Sequence, residues 1–186
     1  MSISVIEFIT LDGFVSDPVG SAGPGREAWA LRHGPAVIGG DKFRLGSTLD
    51  QGVLVLGRAT WQLFAGLWPA RDDPFSQRMN AVPKLVASRT LADVSAWPNS
   101  ALINGDAVAA VKREQRDVVI TGSLSLVREL ISQDLVDEYR LLCFPTLLGT
   151  GERLFPGGTA PVYLECLTAE QDGPVVYTRY ARSDRS

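Results

Sequence analysis

Histidine occurs once in these 186 residues, as His33, and cysteine twice, as Cys143 and Cys166. One histidine and two distant cysteines offer no spaced ligand set for a metal ion. Two cysteines are also too few for the disulfide framework of a small secreted domain. Both lie in apolar, strand-like stretches and read as small buried thiols. Basic runs are absent: 18 Lys and Arg stand against 21 acids, a net charge of −3. Nucleic acid is therefore not an expected partner. No apolar run reaches the roughly 18 residues that cross a bilayer, and Met1 to Thr10 lacks a basic start and a small-residue cleavage site. The expectation is a soluble, reduced, cytoplasmic protein with no membrane partner. A Walker loop, a Gly-x-Gly-x-x-Gly fingerprint and a Gly-x-Ser-x-Gly elbow are missing as well, which disfavours the folds they mark.

What is present is ordinary globular composition, 45% apolar and 21% charged, in a length that suits one domain over 1–186. Ile3, Val5, Phe8 and Ile9 form a strand with almost no polar break, as in the buried centre of a mostly parallel sheet. Residues 16–40, rich in Gly, Pro and Ser, read as a long loop. Asp41 is placed to cap a helix over 41–50. Val53 to Leu56 is a second buried strand, followed by a helix from Thr60 to Leu67. Strands at 84–87, 101–103 and 117–121 follow, with a helix capped by Asp106 and another from Leu124. Val136 to Phe144 is a sixth strand. Val162–Leu167 and Val175–Tyr180 make a C-terminal antiparallel pair through Asp172-Gly173. This alternation predicts an α/β fold, a mostly parallel central sheet with helices on both faces. Ligands of such sheets bind beyond the carboxyl ends of the strands.

Three strand ends carry anion-binding chemistry. Gly57-Arg58-Ala59-Thr60 joins close backbone approach to a guanidinium and a hydroxyl at a helix start. Ser88-Arg89-Thr90 adds a second guanidinium and hydroxyl. Thr121-Gly122-Ser123-Leu124 runs from a buried strand into a helix, where backbone N–H groups form a nest. Each also reads as an ordinary strand-to-helix turn or loop. Phe14, Trp61 and Phe64, with Trp29 and Trp68, are candidates to line an apolar pocket for a flat ring, although aromatics at helical spacing also build cores. Asp41 is the candidate acid, with a helix N-cap as its competing role.

Taken in order, these stretches resemble the dihydrofolate reductase superfamily. The closer resemblance is to its branch built on the C-terminal domain of the bacterial riboflavin-biosynthesis reductase. Thr10-Leu11-Asp12-Gly13-Phe14-Val15, Leu56 to Trp61, Val86 to Thr90, Ile120 to Ser123, Leu135 to Glu138 and Leu148-Gly149-Thr150-Gly151 carry it. The resemblance implies a dihydrofolate-reductase-like fold, NADPH as cofactor, and reduction of a small, flat or heterocyclic substrate. It also implies a homodimer. Gly57, Arg58 and Thr60 match a phosphate-binding turn, Ser88 and Arg89 the segment at the 2′-phosphate, and Gly122, Ser123 and Leu124 the pyrophosphate turn. The first-strand turn, with Thr10 and Gly13, would border the nicotinamide. Folate enzymes carry a Trp closely followed by a helix-borne carboxylate. Here Trp29 and Asp41 are 12 residues apart, so a true folate enzyme is not expected, although Asp41 precedes Gly57 by a folate-enzyme-like 16 residues. A non-catalytic dinucleotide-binding protein is the competing expectation. A flavin in place of NADPH is disfavoured by the two arginines.

Overall fold

The computed structural model describes residues 1–21, 28–155, 157–158 and 160–183. Residues 22–27, inside the expected loop over 16–40, lie outside the described residues. One eight-stranded sheet has the order β4-β3-β2-β5-β1-β6-β8-β7. Its strands are β1 (Ile3–Thr10), β2 (Val53–Gly57), β3 (Lys84–Ala87), β4 (Ser100–Leu102), β5 (Val118–Ile120), β6 (Glu138–Phe144), β7 (Leu164–Asp172) and β8 (Val175–Arg182). The pairs β1–β5, β2–β5, β2–β3 and β3–β4 are parallel, whereas β6–β8 and β7–β8 are antiparallel. Among the described residues no helix is long and apolar enough to cross a membrane. The chain divides into two compact units, Met1–Val5 with Leu45–Val136, and Ile6–Arg44 with Asp137–Ser186.

In the first unit every residue of β2 and β5 is buried, as their uninterrupted apolar runs require. The helices are α1 (Gly46–Gln51), α2 (Arg58–Ala65), α3 (Pro74–Ala81), α4 (Ala107–Arg113) and α5 (Leu124–Ser132). Helix α3 forms where the sequence reads only as a stretch of Pro, Asp and Arg between Leu67 and Lys84. Its cause is local. Asp73 caps it, accepting from Phe75 N and Ser76 N at 3.1 Å, and Pro74 sits in its first turn. Helix α4 starts where Asp106 accepts from Ala109 N at 2.7 Å. Lys84 is fully buried, its ammonium donating to the carbonyls of Asn80, Val82 and Pro98 at 2.8–3.0 Å while lying 4.4 Å from the Trp97 ring centre.

In the second unit Phe8 stacks on Phe43 and meets Phe144 edge-on, within a cluster that includes Trp29, Val37, Leu142 and Tyr177. Asp41 is not a helix cap. It opens a turn in which Arg44 N donates to Asp41 O, and α1 begins only at Gly46, with Leu45 at its N-cap. Arg44 and Gly46 both take positive φ, +51° and +39°, which breaks a helix before it can start at 41. The segment is pinned elsewhere: Lys42 to Asp172 at 2.9 Å, Arg44 to Glu170 at 2.6 Å, and Arg140 Nη1 to the carbonyls of Phe43 and Arg44. Glu138 holds both Arg140 and Arg179 at 2.5 Å.

Three expectations are corrected here. The hairpin turns through Gly173 and Pro174 rather than Asp172-Gly173, because β7 runs on through Asp172. The apolar stretch Glu138 to Leu148 reads from the sequence as a region near the sheet edge, but β6 lies between β1 and β8, and its apolar character is that of an interior strand. Cys143 is half-buried and Cys166 is exposed, because β7 is the edge strand and its residues lie mostly in solvent. Both thiols are free.

Candidate functional site

Strands β2 and β5 run parallel in the first unit, Val55 beside Ile120, and each passes straight into a helix. Helices α3 and α4 have aspartate caps. Helices α2 and α5 have none: Gly57 and Ser123 hold their N-cap positions with no side-chain cap bond. Two neighbouring helix starts thus present N–H groups and positive dipole ends that no carboxylate occupies.

The backbones there are in close contact. Gly57 N donates to Gly122 O at 3.0 Å. A Cβ on Gly57 would stand 2.6 Å from Ser123 Cβ and 2.7 Å from Ser123 N. A Cβ on Gly122, whose φ is +104°, would stand 2.7 Å from Thr60 Oγ1. The structure thereby brings Gly57, Thr60, Gly122 and Ser123 into one cluster, with Arg58 and Leu124 opening the two helices. The Gly122–Ser123 peptide is cis.

On the other side of β2, Gly57 pairs in register with Ala87 of β3. Arg58 and Ser88 therefore leave the sheet side by side. Ser88 Oγ accepts from Thr90 N at 3.1 Å and Leu91 N at 2.9 Å, which orders the turn and leaves its own proton to donate. Arg58 and Arg89 are exposed. Among the described residues neither has an ion-pair partner, whereas Arg44, Arg78, Arg116, Arg140 and Arg179 each pair with an acid. The exposed guanidinium groups of Arg58 and Arg89 and the two uncapped helix starts are groups whose chemistry suits an anion.

Other expected site residues lie in the second unit. Thr10 is buried, its hydroxyl donating to Asp12 Oδ1 at 2.6 Å and accepting from Phe14 N at 2.9 Å. Asp12 also accepts from Gly149 N at 2.8 Å. The Thr10 hydroxyl, and then the amides of Gly149, Leu148 and Asp12 itself, hold the Asp12 carboxyl down at about 2. The Thr-Leu-Asp-Gly stretch is thus a self-satisfied turn, in which Gly13 contributes its N–H to Thr10 O. Phe14 is buried under the Arg153 guanidinium, 4.6 Å from its ring centre. Back in the first unit, Trp61 is buried with its indole N–H on Ser100 Oγ at 3.0 Å, and Phe64 packs edge-on against Trp68 and Trp97. Asp41 is half-buried.

One residue escapes the sequence reading altogether. Glu7 stands inside β1 with no hydrogen-bond or ion-pair partner among the described residues, and burial pushes its carboxyl up to about 8. Its signal was a single acid in a strand otherwise apolar or hydroxylic.

The model of the RibD C-terminal domain matches residues 2–178, which takes in both units. The chain belongs to the RibD C-terminal domain family. This member is 30% identical over 112 residues to the uncharacterized protein YyaP of Bacillus subtilis (strain 168), a match covering 55% of this chain and 58% of YyaP. The match thus spans little more than half of that relative. Among solved structures, a putative riboflavin biosynthesis protein from Shewanella sp. PV-4 superposes with a TM-score of 0.73 at 24% identity, covering 99% of this chain and 100% of its own. Dihydrofolate reductase from Enterococcus faecalis, solved with NADP(H) and RAB-propyl, gives 0.59 at 18% identity, with 98% and 97% covered. A pyrimidine reductase-like protein from Corynebacterium diphtheriae gives 0.59 at 13%, with 99% and 92% covered. These likenesses establish the dihydrofolate-reductase-like fold.

Proposed function

We propose that this RibD C-terminal domain protein is an NADPH-dependent oxidoreductase that reduces a small heterocyclic compound by hydride transfer. The observation that carries the reading is the pair of uncapped helix starts flanked by two unpaired arginines. The backbone cradle fits a dinucleotide: Gly122, Ser123 and Leu124 would hold the pyrophosphate, with Gly57, Arg58 and Thr60 beside it. Ser88 and Arg89 would take the 2′-phosphate. The nicotinamide, when bound, supplies the hydride. The NADP(H) held by the Enterococcus reductase of the same fold supports this assignment.

The free thiols of Cys143 and Cys166 suit a reducing, cytoplasmic setting. A homodimer formed through the exposed β7 edge completes the reading. Titration by tryptophan fluorescence tests the cofactor. NADPH should bind 10- to 100-fold tighter than NADH, the order of one or two charge-assisted contacts. Arg89→Ala should narrow that ratio, and equal affinity of the parent for both would refute the assignment.

A further inference from the structure

Helix α2 has no capping side chain, so no side-chain bond fixes it where Arg58 begins it. The nearest such bond comes one turn later. Trp61 stands three residues after Arg58, and the two share a face of the helix. The Trp61 ring is 4% exposed, and its indole N–H donates to Ser100 Oγ at 3.0 Å. Ser100 opens β4, the edge strand, which pairs with β3. The bond therefore reaches from the helix that follows β2, across β3, to the strand beyond it. Phe64, a further turn along α2, meets Trp97 edge-on at 6.1 Å. Two successive turns of α2 thus rest on the same 97–100 segment.

The acceptor is a fixed point. Trp97 is fully buried, with its N–H on Asn80 Oδ1 at 2.8 Å. Lys84 Nζ donates to Pro98 O at 3.0 Å, and Asn99 Nδ2 donates to the carbonyls of Asn80 and Ala81 at 3.0 and 3.2 Å. In the sheet, Lys84 pairs with Ser100, and at the far end of β3 Ala87 pairs with Gly57. Arg58 and Ser88 are the next residues along β2 and β3. A closed circuit results, from Arg58 through Trp61, Ser100, β4 and β3 to Ser88, all of it within the first unit. The Trp61–Ser100 bond is the side-chain link of that circuit.

Filling the core does not require this bond. A phenylalanine would bury a similar ring and ask for no acceptor beyond β3. The indole N–H adds direction, because a hydrogen bond weakens steeply when misaligned. A turn of α2 about its axis would break it and carry Arg58 away from Ser88.

We propose that Trp61, through Ser100, is a positioning residue for dinucleotide selectivity: it holds Arg58 beside Ser88 and Arg89, so that the 2′-phosphate of NADPH meets both guanidinium groups. This rests on the NADPH reading above. Trp61 acts through Arg58 and needs no contact with the cofactor. Its effect on binding is bounded by the worth of the bond itself, about 2- to 10-fold for one net hydrogen bond.

The test uses the full chain and calorimetric titration with NADPH and NADH. Ser100→Ala removes the acceptor and leaves the tryptophan, Trp61→Phe removes the donor and keeps a ring, and Ser100→Thr keeps the hydroxyl. Ser100→Ala and Trp61→Phe should each lower NADPH affinity about 3- to 10-fold and leave NADH within about twofold. The double variant should lose no more than either alone, and Ser100→Thr should keep the parent's ratio. A purely structural bond would lower both affinities together or neither, and either result overturns the proposal. If Trp61→Phe does not fold, Ser100→Ala decides alone. A parent that prefers NADPH, with that preference intact in Ser100→Ala, overturns the role of Trp61 and leaves the cofactor reading standing. A parent that binds the two dinucleotides equally overturns the NADPH reading, and this role with it.

Discussion

The raised pKa of Glu7 makes a prediction about folding that needs no substrate. In the unfolded chain this carboxyl loses its proton near 4.5, and in the folded chain near 8. Between those values the folded state binds a proton that the unfolded state has released, so stability falls as pH rises. Each pH unit in this window costs about 1.4 kcal/mol. At pH 7 the loss relative to pH 4 is about 3 kcal/mol, and above pH 8 it levels off near about 5 kcal/mol. Glutamine has nearly the same shape and does not titrate. Other groups with shifted pKa, such as Asp12 and Glu138, are common to both proteins and cancel in the difference. Urea denaturation of the parent and Glu7→Gln at pH 5, 6, 7 and 8 should therefore show a gap that moves in favour of the variant with every step. The gap should then stop growing above pH 8. Two stability curves that stay parallel within about 0.5 kcal/mol over this range would refute the argument, since the carboxyl would then titrate alike in both states.

The remaining predictions concern other sites. Gly122→Val places a side chain at φ +104° and against Thr60 Oγ1, so urea denaturation should show a loss of about 1–3 kcal/mol along with weaker NADPH binding; an unchanged midpoint would contradict the packing described for the cluster. If Asp41 is the acid of the reduction, Asp41→Asn should cut turnover by about 10²-fold or more while barely changing stability, and turnover within about threefold of the parent would remove it from that role. Light scattering should give about twice the 20.1 kDa chain mass, and Tyr163→Glu, at a side chain 81% exposed beside the β7 edge, should shift it toward the monomer; a parent that is already monomeric removes the dimer.

The strands and their order of appearance were legible because their apolar runs are continuous: Val53–Leu56 and Val118–Ile120 are buried throughout. The helix caps were legible in part. Asp106 signalled α4, yet Asp73-Pro74 sends the same signal for α3 and was masked by the polar residues around it. Asp41 misled in the opposite direction. A cap residue fixes one hydrogen bond, and the positive φ of Arg44 and Gly46 decides where the helix starts. The contact of Gly57 with Ser123 could not be read, because it arises from the pairing of β2 with β5 across more than sixty residues of chain. Glu7 was hidden by its own surroundings, since the hydrophobic run that identifies β1 makes one acid within it look incidental.

The anchoring of residues 42–44 also makes the C-terminal hairpin a thermodynamic partner of that segment. Lys42 and Arg44 reach Asp172 and Glu170 near the tip of β7, Arg44 lies over the Tyr177 ring, and Arg140 grips the carbonyls of Phe43 and Arg44. Free energy shared between two elements is shared in both directions. Whatever steadies the hairpin steadies the turn after Asp41 by the same amount, and whatever orders that turn is felt at the outer strand. Because the two ion pairs to β7 are partly exposed, this coupling weakens with added salt, while the Arg140 bonds to the backbone, which are better shielded, persist.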